Sequence, residues 1–274
     1  MSKARKPYSS RPYYNKPAPK RSNVEVNLKG FLCSCNNREK DCIRETYNLL
    51  NKYADILWPP EPAESTSAEA QGGIEEDLQK ELQVLRAATP RRFQVVDSGA
   101  KNFLFIKTTV EDPVKLAEAI MSEIFEKKTQ ETKFLLRLVP VEVTCKAKVK
   151  EIEQAFQALC EKYFSTSAKS FSVIFNHRNN DSVSRDEVIK TIADNVLNQG
   201  TSNKLVHKVD LKNAEVSIVV EIIRGFAFLA VVPDFYKYKK YNLLAFIEPE
   251  AEARAEGDLN TVEETNVENK NDTN

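Results

Sequence analysis

Apolar residues recur along this chain with two periods, and the order in which the periods alternate predicts two mixed units. In the later unit Phe171, Val173 and Phe175 alternate with Ser172, Ile174 and Asn176, a period of two that predicts a strand. The strand ends in Asn176-His177-Arg178-Asn179-Asn180-Asp181, a run of turn-forming residues. Ser184 followed by Glu187 makes a capping-box sequence. Val188, Ile189, Ile192, Val196 and Leu197 supply the apolar stripe of the helix it opens. Gly200 offers a left-handed exit from that helix. Two long apolar strands follow at 216–223 and 226–232, with Arg224-Gly225 as a tight connection.

The earlier unit, 30–146, reads β-α-β-β-α-β, the ferredoxin-like order. A short strand at 31–35 precedes a helix over 39–57 whose stripe is Ile43, Tyr47, Leu50, Tyr53 and Leu57. Strands at 93–96 and 103–106 flank the turn Ser98-Gly99-Ala100-Lys101-Asn102. Asp112 and Pro113 form an N-cap and first-turn pair, and Val114, Ala117, Ile120, Met121, Ile124 and Phe125 follow at helical spacing. The stretch 134–145 is extended, and Pro140 restricts it to an edge or a bulge. A further helix at 149–163, with Ile152, Phe156, Leu159 and Tyr163 on one face, joins the units.

Three stretches lack the apolar content to offset chain entropy and are expected to be disordered. They are a Lys-, Arg-, Pro- and Tyr-rich arm at 1–24, a Pro- and Glu-rich insertion at about 59–73, and a tail at 248–274. Ile74, Leu78, Leu82 and Leu85 after the insertion predict one more helix. Charge follows the same division. The formal net charge is zero, yet residues 1–22 carry seven bases and no acid, 61–77 six acids and no base, and 248–274 nine acids against two bases. Residues 78–247 hold 26 bases against 20 acids, so a basic body lies between acidic appendages. The arm could grip phosphates, with Tyr8, Tyr13 and Tyr14 to stack on bases, or act in nuclear targeting, or be a solvated tail. No signal peptide or membrane-spanning run is read, and a nuclear or cytosolic protein is expected.

The strand with its basic loop (FSVIFNHRNN), the helix opening SRDEVI and the stretch VDLKNAEVSIVVEI resemble the THUMP domain, an RNA-binding module of tRNA-modifying enzymes. Family members usually carry Pro at the place of Ala214, a departure that touches one turn. With GFLCSCNNREKDCIRETYNLLNKY near the start, the layout over 25–247 is similar to the THUMP-containing adaptors of the eukaryotic tRNA cytidine acetyltransferase. The fold class expected is therefore α+β: a ferredoxin-like domain at 25–146 followed by an α/β THUMP domain at 147–247, with disordered tails. The resemblance implies a non-catalytic adaptor that holds the acceptor and CCA end of tRNA. It would present a cytidine to a separate RNA cytidine acetyltransferase for N4-acetylcytidine formation, in the nucleus or nucleolus, with the cytoplasm as alternative. No membrane partner is implied.

Candidate RNA-binding residues follow from the basic and amide side chains at the loops of this unit. Asn176, Arg178, Asn179 and Asn180 lie at a strand-to-helix loop beside Ser184, where helix amides favour a phosphate, and Arg185 opens the helix. Lys208 and Lys212 flank Asp210, Arg224 sits at the hairpin tip, and Lys146 and Lys148 occupy the connector between units. The run Lys237, Tyr238, Lys239, Lys240 and Tyr241 is expected on the same positive face. Catalytic and metal chemistry is not legible. Cys33, Cys35 and Cys42 are spaced C-x-C-x6-C, which fits buried thiols better than zinc, as do the apolar settings of Cys145 and Cys160. His177 falls in the basic loop, whereas His207 is expected to pack. Among seven glycines no phosphate-cradling spacing occurs, so no cofactor is assigned. Two other readings stay open: a stand-alone RNA-modifying enzyme with an unrecognised active site, and a protein–protein scaffold using its basic face.

Overall fold

The computed structural model describes residues 23–59 and 91–246. The expectations for most of the basic arm, the acidic insertion with its following helix, and the tail lie outside the described residues. Asn23 and Val24, assigned to the arm by sequence, belong to the fold: Asn23 bridges Asp97, and Val24 is buried.

In the first half the elements run β1 (Gly30–Cys35), α1 (Glu39–Leu57), β2 (Phe93–Asp97), β3 (Phe103–Thr108), α2 (Pro113–Lys127) and β4 (Leu135–Val141). They make an antiparallel sheet in the order β2-β3-β1-β4. The Asp112 carboxylate accepts the Lys115 backbone N–H at 3.0 Å and so starts α2 as its sequence predicts. Pro140 lies on the outermost strand, where its missing N–H breaks no inner ladder.

The second half runs β5 (Val143–Lys146), α3 (Val149–Phe164), β6 (Ser170–Arg178), α4 (Arg185–Asn203), β7 (Lys208–Val209), β8 (Val216–Ile223) and β9 (Phe226–Pro233). Its sheet has the order β5-β9-β8-β6-β7, with β6 parallel to β7 and β8. The single extended stretch expected at 134–145 is in fact two strands, split at Glu142, that serve different sheets. The second sheet thus begins ahead of the boundary expected at 146.

Helix α4 differs from its sequence reading in three details. Ser184 is the N-cap residue, yet its side chain makes no capping bond; its carbonyl takes the Val188 N–H at 3.2 Å. Leu197 is exposed. The helix runs past Gly200 to a left-handed Lys204 at φ 57°. Gly200 instead lies against His207, where a Cβ would come within 2.6 Å of the ring.

β8 is buried along its whole length, and β9 nearly so, because their sheet is covered on both faces. Ile218, Val220, Ile222, Leu229 and Val231 share a core with α3 and α4. Val219, Ile223, Phe228, Ala230 and Val232 join the core of the first half, where the Phe228 ring meets Phe105 at 5.2 Å. Two chain segments cross this seam. After β9, Tyr238 and Tyr241 are buried in the first core instead of lying on a positive face. There the Tyr241 carbonyl accepts the Leu138 N–H at 3.1 Å, and the Leu243 N–H reaches the Leu136 carbonyl at 2.8 Å. Near the start, the Thr144 hydroxyl of β5 accepts the Leu28 N–H at 2.9 Å and donates to the Glu25 carbonyl at 2.6 Å.

Glu142 marks the point where the chain changes sheets. Its buried carboxylate accepts from Lys162 Nζ at 2.8 Å, the Tyr163 hydroxyl at 2.9 Å and the Val231 N–H at 3.0 Å. Lys162 itself is half exposed and can be hydrated when its partner is gone. Glu142→Ala is therefore expected to lower the unfolding free energy by about 3 kcal/mol. Lys162→Ala is expected to cost about 1 kcal/mol or less. Urea denaturation checks the pair, and equal losses would contradict the asymmetry.

Candidate nucleic-acid interface

β6 and β8 run parallel, so their C-terminal ends, the β8–β9 tip and the end of β5 gather at one edge of the second sheet. The loop after β6 is pinned there. The Arg224 N–H donates to the Arg178 carbonyl at 2.9 Å, and the Asn180 side-chain amide donates to the Arg224 carbonyl. Asn180 Oδ1 accepts the Ser182 N–H at 3.1 Å, and His177 Nδ1–H donates to the Asn180 carbonyl at 2.7 Å. Asn179 and Arg224 both take the left-handed conformation, at φ 52°. A short amide side chain tolerates this readily, which fits Asn at the first position.

Two cations at this edge lie on aromatic rings. The Arg178 guanidinium is 4.1 Å from the centre of Phe103 at the start of β3, so it spans the seam between the halves. Lys146 Nζ is 3.9 Å from the centre of Phe226. The Arg224 side chain lies along Gly99, whose φ of +77° forms the β2–β3 turn and where a Cβ would come within 2.8 Å of the arginine. Between these parts opens a cleft of about 260 Å³. Asn23, Asp97, Ser98 and Gly99 line it from the first half, and Arg224, Gly225 and Phe226 from the second.

Of the residues singled out in the sequence, Lys146, Lys148, Arg178, Asn179, Asn180 and Arg224 come together here. Lys148 is exposed at the N-cap of α3, and Arg185 is exposed at the first position of α4. Two of the amides are already engaged: Asn180 as above, and Asn176, which donates to Glu221 Oε1 at 2.7 Å. A Cβ at Gly225 would face open space. Lys208 and Lys212 lie elsewhere. Lys208 pairs with Ser170 at the opposite end of β6, eight residues from Arg178. At about 3.3 Å per residue that is roughly 26 Å away. Sequence reasoning missed Phe103 and Gly99, because only the packing of the two halves brings them to the arginines.

The buried thiols and His207 do not line the cleft. Cys33, Cys35, Cys42, Cys145 and Cys160 are all buried, and burial pushes each thiol up, Cys42 and Cys145 to about 12 and Cys160 to about 11. His207 is packed, its Nε2–H donating to the Phe164 carbonyl at 3.1 Å and its Nδ1 accepting the Lys169 N–H at 3.2 Å. Among the described residues no three His, Cys, Asp or Glu converge as a metal site, and no helix is long and apolar enough to cross a membrane.

The THUMP domain family matches residues 146–232, the span that carries the second sheet and the pinned loop. The chain is 36% identical over 265 residues to the THUMP domain-containing protein 1 homolog of Drosophila melanogaster, covering 87% of this chain and 80% of that protein. This chain belongs to the THUMP domain-containing protein 1 family. The human THUMP domain-containing protein 1 is 36% identical over 230 residues, 80% of this chain and 64% of the human one. A more distant relative is the tRNA acetyltransferase TAN1 of Saccharomyces cerevisiae, 24% identical over 248 residues, 80% of this chain and 85% of that protein.

One carboxyl of this THUMP chain, Glu221, is buried beneath the interface. Burial raises the Glu221 carboxyl above its usual range, opposed by the bond from Asn176 and by the charges of Arg137 and Arg178. The folded state then holds this proton more tightly than the unfolded chain. Its stabilising share is present at low pH and is lost as pH rises through the folded value. Glu221→Gln keeps an acceptor for Asn176 and removes that loss. The thermal midpoint of the variant is expected to gain on the parent as pH rises from about 5 to 8. A difference independent of pH would contradict the assignment.

Proposed function

We propose that this chain is a non-catalytic tRNA-binding adaptor. It holds the acceptor and CCA end of tRNA and presents a cytidine to a separate RNA cytidine acetyltransferase for N4-acetylcytidine formation. The observation that carries the reading is the convergence of Lys146, Lys148, Arg178 and Arg224 at one edge of the second sheet, two of them stacked on aromatic rings, beside a cleft between the halves that Arg224 lines. Cations laid on rings keep N–H donors free for phosphate oxygens, and a cleft of this size admits an unstacked nucleotide. Phosphate contacts set the position of the strand, while contacts to its bases specify it.

Membership of the THUMP family supports RNA as the ligand, and the name of the yeast relative supports tRNA acetylation as the process served. In this reading the first half is a ferredoxin-like domain and the second, from β5 onward, a THUMP domain, held as a rigid gauge of distance from the acceptor end. The work is placed in the nucleus or nucleolus. The non-catalytic role is supported by the fate of the buried groups. The thiols sit in separate cores with the thiolate disfavoured, and the Glu142 and Glu221 carboxylates are committed to internal partners.

Two experiments test it. Purified chain, tRNA, acetyl-CoA and ATP should yield no N4-acetylcytidine until the separate acetyltransferase is added; product from this chain alone would overturn the adaptor role. Lys148→Ala with Arg224→Ala should weaken tRNA binding and reduce the log–log salt slope by about 2. An unchanged slope would remove both from the phosphate contacts.

A further inference from the structure

The opposite end of β6 carries a surface of another kind. Within six residues, Val206, Val209 and Leu211 are 84%, 49% and 67% exposed. They belong to or flank β7, the outermost strand of its sheet, which is bonded to β6 alone among the described strands. Exposed Lys204, Lys208 and Lys212 punctuate the same segment. The one acid among residues 204–213, Asp210, turns its carboxylate onto the backbone N–H groups of Asn213 and Lys212, both at 2.9 Å, and these bonds hold its carboxyl below the usual range.

The segment is anchored from behind. His207 is buried and bonded to Phe164 and Lys169, the Lys208 N–H donates to the Lys169 carbonyl at 3.1 Å, and the Asp210 N–H to the Phe171 carbonyl at 2.9 Å. Lysines alone would blunt an edge strand against self-association. Lysines interspersed with three exposed apolar side chains on an anchored backbone offer apolar and cationic groups side by side, as docking faces do.

We propose that residues 204–212 dock the modifying enzyme, which contributes an acidic, apolar-bearing extended segment alongside β7. This rests on the adaptor reading, and it places the enzyme roughly 26 Å along β6 from the cleft. Charge selects this occupant. A second copy would bring lysines against lysines, whereas an acidic strand meets them while the edge of β7 supplies main-chain bonds. Lys208 and Lys212 then serve the enzyme and not the tRNA.

The test uses the full chain carrying Val206→Asp with Leu211→Asp, and separately Lys208→Glu with Lys212→Glu. All four positions are exposed, so thermal midpoints should stay close to the parent's. Affinity for the purified acetyltransferase is expected to fall about tenfold or more in each double variant, with tRNA affinity within about twofold of the parent. Enzyme binding that survives both changes would remove this face while leaving the adaptor reading intact. A parallel loss of tRNA affinity would make the segment an RNA surface, and a parent dimer dissolved by the changes would make it a self-interface; either overturns the proposal. A parent chain that fails to bind the enzyme at all would bring down the adaptor reading and this face with it.

Discussion

The apolar seam between the two sheets is the contact on which the rest of the molecule depends. Val219, Phe228, Ala230 and Val232 leave the second sheet to complete the first core, and Phe105 meets them from the other side. Each fully buried side chain of Phe or Val size contributes about 1.5–3 kcal/mol. A seam built from several of them holds the halves as one body, in contrast to the polar, yielding contacts typical between domains. The crossings at Thr144 and Tyr241 add directional bonds to a contact that is otherwise nondirectional. Without this seam Arg178 has no Phe103 to lie on, and the cleft beside Arg224 has only one wall.

Function in this account is a matter of placement. Single lysines on a protein surface hold RNA weakly and indifferently. Here cations from β5, the end of β6 and the β8–β9 tip are fixed at one edge, by ring contacts and by the Asn180 amide that ties loop to tip. Beside the far end of β6, the segment 206–211 presents exposed apolar side chains instead. One strand thus joins two surfaces of different chemistry at a fixed separation, which is what an adaptor between a nucleic acid and a protein requires.

The elements of this fold were largely legible. Alternation and stripes marked most of the strands and the helices because burial on one face imposes a period, and Asp112-Pro113 marked a helix start because its chemistry is local. What depended on contacts distant in sequence was not legible. The split at Glu142 requires knowing that one extended stretch feeds two sheets. The helix exit passed from Gly200 to Lys204 because His207 needs the space that a missing side chain leaves. Tyr238 and Tyr241 looked like part of a basic face and are core, since the packing of their segment on the first half cannot be read from local composition. In the candidate site, the cations at the β6–α4 loop and the hairpin tip were found from turn chemistry. Lys208 and Lys212 were grouped with them only because sequence gives no measure of distance along a strand.

The central claim is that the edge bearing Lys146, Arg178 and Arg224 grips the acceptor end of tRNA. The most direct measurement compares binding of the full chain to tRNA with an intact CCA end and to the same tRNA trimmed of it, at one fixed salt concentration. The account predicts a clear loss of affinity on trimming, and a loss that shrinks when Arg224 is replaced by Ala. Equal affinity for the two tRNAs would contradict it, leaving the edge to grip duplex phosphates without recognising an end.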